Sequence, residues 1–142
     1  MGHRRSSREL AMQALYYIDM GKNDEDRAYR LFCINFEPAE DLMPFFQTLV
    51  KGVLEHREDI DRRIEMFSSN WKLSRMSGVD RNVMRIAAYE MLFCHDIPTK
   101  VSINEAIDIG KKYGTADSGA FINGILDAIS LDLEKTKTEN AG

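Results

Sequence analysis

The chain has 142 residues, a net charge of −4 at pH 7, 44% hydrophobic residues and 30% charged residues. That length fits one domain, and that balance excludes disorder along the whole chain as well as collagen-like and proline-rich classes. The acidity alone argues against a general polyanion binder, yet it is uneven. Asp24, Glu25, Asp26, Glu37, Glu40 and Asp41 meet only Arg27 and Arg30 and account for the whole net charge, whereas the first eight residues hold Arg4, Arg5 and Arg8 and no acid.

The apolar spacing is helical almost throughout, with no convincing strand. Ser6 to Glu9 reads as a capping box, with Glu9 reaching back to the helix start. Leu10, Ala11, Ala14, Leu15 and Ile18 form the inner face of a first helix that Gly21 ends. Its opposite face carries Glu9, Met12, Gln13, Tyr16 and Met20. Asn23 caps a second helix whose acidic first turn suits the helix dipole; Leu31, Phe32 and Ile34 are its apolar residues, and Glu37-Pro38 stops it. A third helix starts near Asp41 with Phe45, Phe46, Leu49, Val50, Val53 and Leu54 as a stripe. Ile60, Ile64 and Phe67 continue the spacing, and a break between His56 and Asp59 keeps the helix to an ordinary length.

Ser77-Gly78-Val79-Asp80 reads as another capping box. The helix behind it, through Val83, Met84, Ile86, Ala87, Ala88, Met91 and Leu92, is apolar on nearly every side, as in the centre of a bundle. Ile97-Pro98 precedes a further helix, for which Ser102 to Glu105 repeats the capping spacing. Tyr113-Gly114 ends it. The last helix starts at Asp117 or Ser118 and buries Phe121, Ile122, Ile125, Leu126 and Ile129. Residues 134–142 form a polar tail expected to fray. Gly119 and Gly124 fall within the helical pattern, where close helix packing explains them. The sum is six to seven helices with short loops in a single all-α domain spanning 1–142.

No apolar run spans a bilayer and no secretory signal is present, so the expected location is cytoplasmic. Cys33 and Cys94 fit free thiols in a reducing compartment. His3, His56 and His95 are scattered and no metal-ligand spacing occurs, so no metal site, cofactor or catalytic set is expected. Binding features remain. Three arginines lie beside Gln13 and Tyr16, residue types that hydrogen-bond to and stack on unpaired bases.

Two segments resemble the NusB family of bacterial antitermination factors. The first is RRSSRELAMQALY, Arg4 to Tyr16. The second runs from Asp80 to Asp127 and holds VMRIAAYEM, DIPTKVSINEAIDIGKKYG and DSGAFINGILD. The resemblance implies two small packed helical bundles. It implies a non-enzymatic factor that binds boxA-type single-stranded RNA with the ribosomal protein NusE and acts on the transcription elongation complex, promoting read-through chiefly in ribosomal RNA operons. It carries RNA contact to Arg4, Arg5, Arg8, Gln13, Tyr16, Asp117 and Phe121, and partner contact to Arg75, Asp80 and Glu90. It makes Asn104, Glu105, Asn123 and Gly124 structural and sets Trp71 where the two halves meet. Two other readings fit the residues. One is a relative of the RNA-binding domain fused to ribosomal RNA cytosine methyltransferases. The other is a helical protein-interaction module whose basic arm is incidental.

Overall fold

The computed structural model describes residues 3–21, 24–69 and 71–141. Among them are seven α-helices and no strand: α1 (His3–Met20), α2 (Glu25–Phe36), α3 (Met43–Glu55), α4 (Arg57–Met66), α5 (Gly78–Phe93), α6 (Thr99–Tyr113) and α7 (Ser118–Ala141). Short 3-10 turns at Glu40–Leu42 and Leu73–Arg75 lead into α3 and α5. No helix is long and apolar enough among the described residues to cross a membrane.

Local chemistry sets most helix ends. Asp24 caps α2 by accepting the Arg27 N–H at 2.9 Å; the expected cap Asn23 lies outside the described residues. Glu37 ends α2 in the left-handed region (φ 41°), donating its N–H to the Cys33 carbonyl, and Pro38 cannot continue the helix. The stripe from Phe45 to Ile64 breaks at His56, whose N–H bonds the Gly52 carbonyl before α4 begins. Ser77 caps α5, Pro98 precedes α6, and Gly114 closes it.

Helix α5 is the centre. It packs on α1 and α3 of the N-terminal bundle and on α4, α6 and α7 of the C-terminal one. Leu15, Phe46, Leu49, Val53, Met84 and Ile122 are among the side chains removed from solvent around it, each worth about 1.5–3 kcal/mol relative to exposure. Gly110 sits where α7 crosses α6: a Cβ there would overlap the end of the Ile122 side chain.

Several expectations are corrected. Helix α1 already runs from His3, so Ser6 is internal and Glu9 is no capping residue. Helix α6 starts at Thr99, which puts Ser102 and Glu105 inside it. Met12 is buried, whereas Ile34 is 68% exposed and Leu10 and Phe121 are only partly covered. Residues 134–141 continue α7 rather than leaving it. Gly119 packs against Lys111 and Ile107, but Gly124 meets only open space. Asn104 and Asn123 are exposed, and their side chains make no hydrogen bond among the described residues. Trp71 is 53% exposed and packs edge-on against Phe121 of α7.

Candidate nucleic-acid interface

The three N-terminal arginines lie on the first turns of α1 and part company by helical angle. Arg8 points inward and is 3% exposed. Its Nε and Nη2 donate to the two carboxylate oxygens of Glu90 at 2.7 and 2.8 Å, and its Nη1 donates to Glu105 at 3.1 Å. The Ser102 hydroxyl donates to Glu90 at 2.8 Å. Burial opposes the Arg8 charge, but Glu90 and Glu105 outweigh it and hold the guanidinium more firmly protonated than usual. Bidentate geometry and a third donor are what allow two charges to leave water together.

Arg4 and Arg5 are exposed. Arg5 pairs with Glu105 and with Asp108 at 2.8 Å, and its hydrogen bond holds the Glu105 carboxyl below the usual carboxylate range. Arg4 lies over the Phe45 ring, 4.8 Å from its centroid, and 3.5 Å from Asp96. The basic arm is therefore one helical turn whose charges already have acidic neighbours. Glu9, freed from capping, accepts Lys112 Nζ at 2.9 Å and the Tyr113 hydroxyl at 2.7 Å, tying the end of α6 to α1.

Gln13 and Tyr16 continue the Arg5–Glu9 face of α1 and line an apolar groove of about 540 Å³ shared with Tyr17, Phe32, Phe36 and Tyr113. The Tyr16 ring reaches across to α5. A Cβ at Gly78 would come within 2.5 Å of it, so the contact requires glycine.

That same turn of α5 opens a second depression of about 300 Å³, lined by Trp71, Arg75, Ser77, Asp80, Asp117 and Phe121. Trp71 and Phe121 form its aromatic corner, with ring centroids 6.4 Å apart at 72°. Asp117 precedes α7. Its backbone carbonyl accepts the Phe121 N–H at 3.1 Å, while its carboxylate caps nothing among the described residues. Arg75 is exposed and makes no ion pair with a described residue. Only half of the expected capping box at Ser77 exists: the Ser77 hydroxyl accepts the Asp80 N–H at 3.1 Å. Asp80 is 9% exposed, yet its Oδ1 is buried with no hydrogen-bond partner among the described residues. Such an oxygen costs about 1–3 kcal/mol to leave unpaired.

Four of the residues singled out from sequence, Arg75, Asp80, Asp117 and Phe121, thus meet in one pocket, and Tyr16 touches its rim helix. Arg4 and Arg5 lie apart at the start of α1. Glu90 lies near the far end of α5, 1% exposed, with no surface for a partner; it and Arg8 hold α1 to α5. Sequence reasoning missed Trp71 as a pocket residue. Its signal was a lone tryptophan in a polar stretch between helices. It also missed Arg81 and Arg85, buried on α5 and joined to Asp19 and Asp61. Burial opposes the Asp19 charge, but these arginines prevail and hold its carboxyl below the usual range.

A family model described as the NusB family matches residues 5–131. The "Transcription antitermination protein NusB" of Desulfatibacillum aliphaticivorans is 62% identical over 135 residues, covering 95% of this chain and 94% of its own. Among solved structures, NusB of T. maritima superposes with a TM-score of 0.77 at 38% identity, covering 89% of both chains. A chain from the crystal structure of the antitermination factors NusB and NusE in complex with dsRNA gives a TM-score of 0.79 at 26% identity, covering 91% of this chain and 96% of that one.

Proposed function

We propose that this chain, which belongs to the NusB family and is a transcription antitermination factor, holds boxA-type single-stranded RNA across α1, the start of α5 and the start of α7, together with NusE. The observation that carries this reading is the shared turn at Gly78 to Asp80. The Tyr16 ring packs on Gly78, and Ser77 and Asp80 of the same turn line the Trp71–Phe121 pocket. Gln13, Tyr16, Asp117 and Phe121 read bases there, while Arg4 and Arg5 hold phosphates by exchanging their acidic neighbours for RNA. Arg8, buried on Glu90, positions α1. A solved relative in complex with NusE and dsRNA supports RNA binding in company with NusE; on a single strand, two weak surfaces joined by a protein interface gain affinity through effective concentration. Arg75, an exposed residue lining the pocket, contacts the protein partner. The reading places the protein in the cytoplasm and includes no catalytic step.

Titration with boxA-type RNA over a range of salt concentrations, with and without NusE, tests it. Two phosphate contacts, from Arg4 and Arg5, give a log–log salt slope of about −1.4, against about −2 if Arg8 also contributed. Tighter binding with NusE present, and weaker binding of a scrambled RNA, are the expected results. Equal binding of the scrambled RNA overturns the reading.

A further inference from the structure

Arg5 is held by two acids that treat its guanidinium differently. The edge formed by Nε and Nη2 lies against Glu105, with Nε donating at 3.0 Å. Nη2 also donates to Asp108 at 2.8 Å, and Nη1 makes no hydrogen bond among the described residues. A guanidinium grips a phosphate through two neighbouring N–H groups. With Nε taken by Glu105, the pair left for an anion from outside is Nη1 and Nη2, the end of the fork. Asp108 sits on half of that pair. Glu105 is fixed from two sides: its side chain is 15% exposed and also accepts Arg8 Nη1 at 3.1 Å. Asp108 lies one turn further along α6, its side chain 51% exposed, with no partner but Arg5 among the described residues. An exposed pair of that kind adds little to stability, so Asp108 can leave Arg5 without disturbing the fold. Arg4 has no such occupant: it lies over the Phe45 ring, with Asp96 only at 3.5 Å.

We propose that Asp108 is a built-in stand-in for an RNA phosphate: it occupies the end of the Arg5 fork in the free protein and must be displaced before a phosphate binds there. It thereby sets the affinity that any RNA has to reach. The inference rests on the RNA-binding reading above and adds a residue that reading does not name. Of the two acids on Arg5, only Asp108 is exchanged, while Glu105 stays on Nε and keeps the fork aimed. Asp108 opposes RNA twice. It holds a donor that the phosphate needs, and once displaced it remains beside the phosphate as a like charge. Phosphate contacts carry no sequence information, so this cost falls equally on every RNA. A strand that also makes base contacts and shares a NusE surface offsets it. A strand held by phosphate contacts alone does not.

Asp108→Ala removes the competitor. The complex of the full chain with NusE is titrated with boxA-type RNA and with a scrambled RNA of equal length, for the parent, Asp108→Ala, Arg5→Gln and the double variant. The expected result is that Asp108→Ala binds both RNAs about fivefold more tightly, the upper range of an exposed ion pair expressed as a ratio, with the preference between them unchanged. Asp108→Asn, of the same shape without the charge, gives a smaller gain of the same sign. In the Arg5→Gln background, where no fork is left to free, Asp108→Ala leaves the affinity within about twofold. Unchanged or weaker binding by Asp108→Ala overturns the proposal. So does an equal gain in the Arg5→Gln background, which makes Asp108 a general repulsive charge and not the occupant of a phosphate seat. A gain confined to boxA-type RNA also overturns it, because a phosphate seat does not distinguish sequences. The two readings fail separately: if boxA-type RNA is preferred but Asp108→Ala gains nothing, Asp108 fails and the antitermination reading stands, whereas if no complex prefers boxA-type RNA, the failure is of that reading.

Discussion

Near its C-terminal end α5 buries Glu90, 1% exposed, and in its first turn it buries Asp80, 9% exposed. The two carboxylates share a helix and a degree of burial but not a fate. Glu90 takes two hydrogen bonds from Arg8 and one from Ser102, whereas Asp80 Oδ1 takes none among the described residues. A buried charge whose partners are complete holds helices together and has nothing left to offer. One whose partners are missing costs the fold its desolvation. The contrast corrects a simple reading of the basic N-terminus. Of its three arginines the innermost, Arg8, is buried on Glu90, and only Arg4 and Arg5 are exposed.

The largest effect expected from this contrast is at Arg8. Replacing Arg8 with Met leaves Glu90 buried without its cation, which costs about 3–5 kcal/mol. Urea denaturation of the variant should show a midpoint lowered accordingly. Replacing Glu90 with Leu in the same chain removes the stranded charge and should restore most of the loss, since a buried pair exchanged for apolar residues is often near neutral. A loss below about 1 kcal/mol in the single variant, the range of exposed ion pairs, would show that the pair does not hold α1 to α5.

Acid supplies the next effect. The Arg5 hydrogen bond holds Glu105 below the usual carboxylate range, and Asp19, desolvated but bonded to Arg81, is held low as well. Folded-state values below unfolded ones stabilise the fold above the unfolded value, about 4.3 for Glu and 3.9 for Asp, and the contribution is lost as pH falls through the folded value. Unfolding free energy should therefore drop below about pH 4.3. The drop should be shallower in Arg5→Gln, where Glu105 starts nearer its ordinary value. An unchanged acid limb in that variant would mean Arg5 does not hold Glu105 in solution.

These ion pairs also mark where the sequence stops being legible. Helix ends set by neighbouring residues were readable: Glu37-Pro38, the His56 break, the Ser77 cap and Gly114 all lie where local chemistry puts them. Ser6-to-Glu9 and Ser102-to-Glu105 have the same spacing as Ser77-to-Asp80, yet neither starts a helix. Their glutamates are claimed from afar, Glu9 by Lys112 and Glu105 by Arg5 and Arg8. A local pattern cannot tell a capping carboxylate from one that will meet a cation from the other end of the chain. The same limit hid Arg81 and Arg85, whose acids Asp19 and Asp61 sit on α1 and α4. The site was half readable. Asp117, Phe121, Arg75 and Asp80 could be picked out, but that they line one pocket with Trp71 depends on how α5 and α7 cross.

The smallest expected change in stability is the most informative about the pocket. Asp80→Ala removes an acceptor with no described partner and leaves the Ser77 cap and the helix backbone in place. Deleting a group that is already unsatisfied returns its desolvation cost instead of adding one, so the unfolding free energy should stay within about 0.5 kcal/mol of the parent or rise. Arg8→Met and Asp80→Ala, measured side by side, should then differ by several kcal/mol although each concerns a buried carboxylate on α5. A clear loss from Asp80→Ala, about 1 kcal/mol or more, would mean the carboxylate is bonded in solution. Asp80 would then join Glu90 as a structural charge.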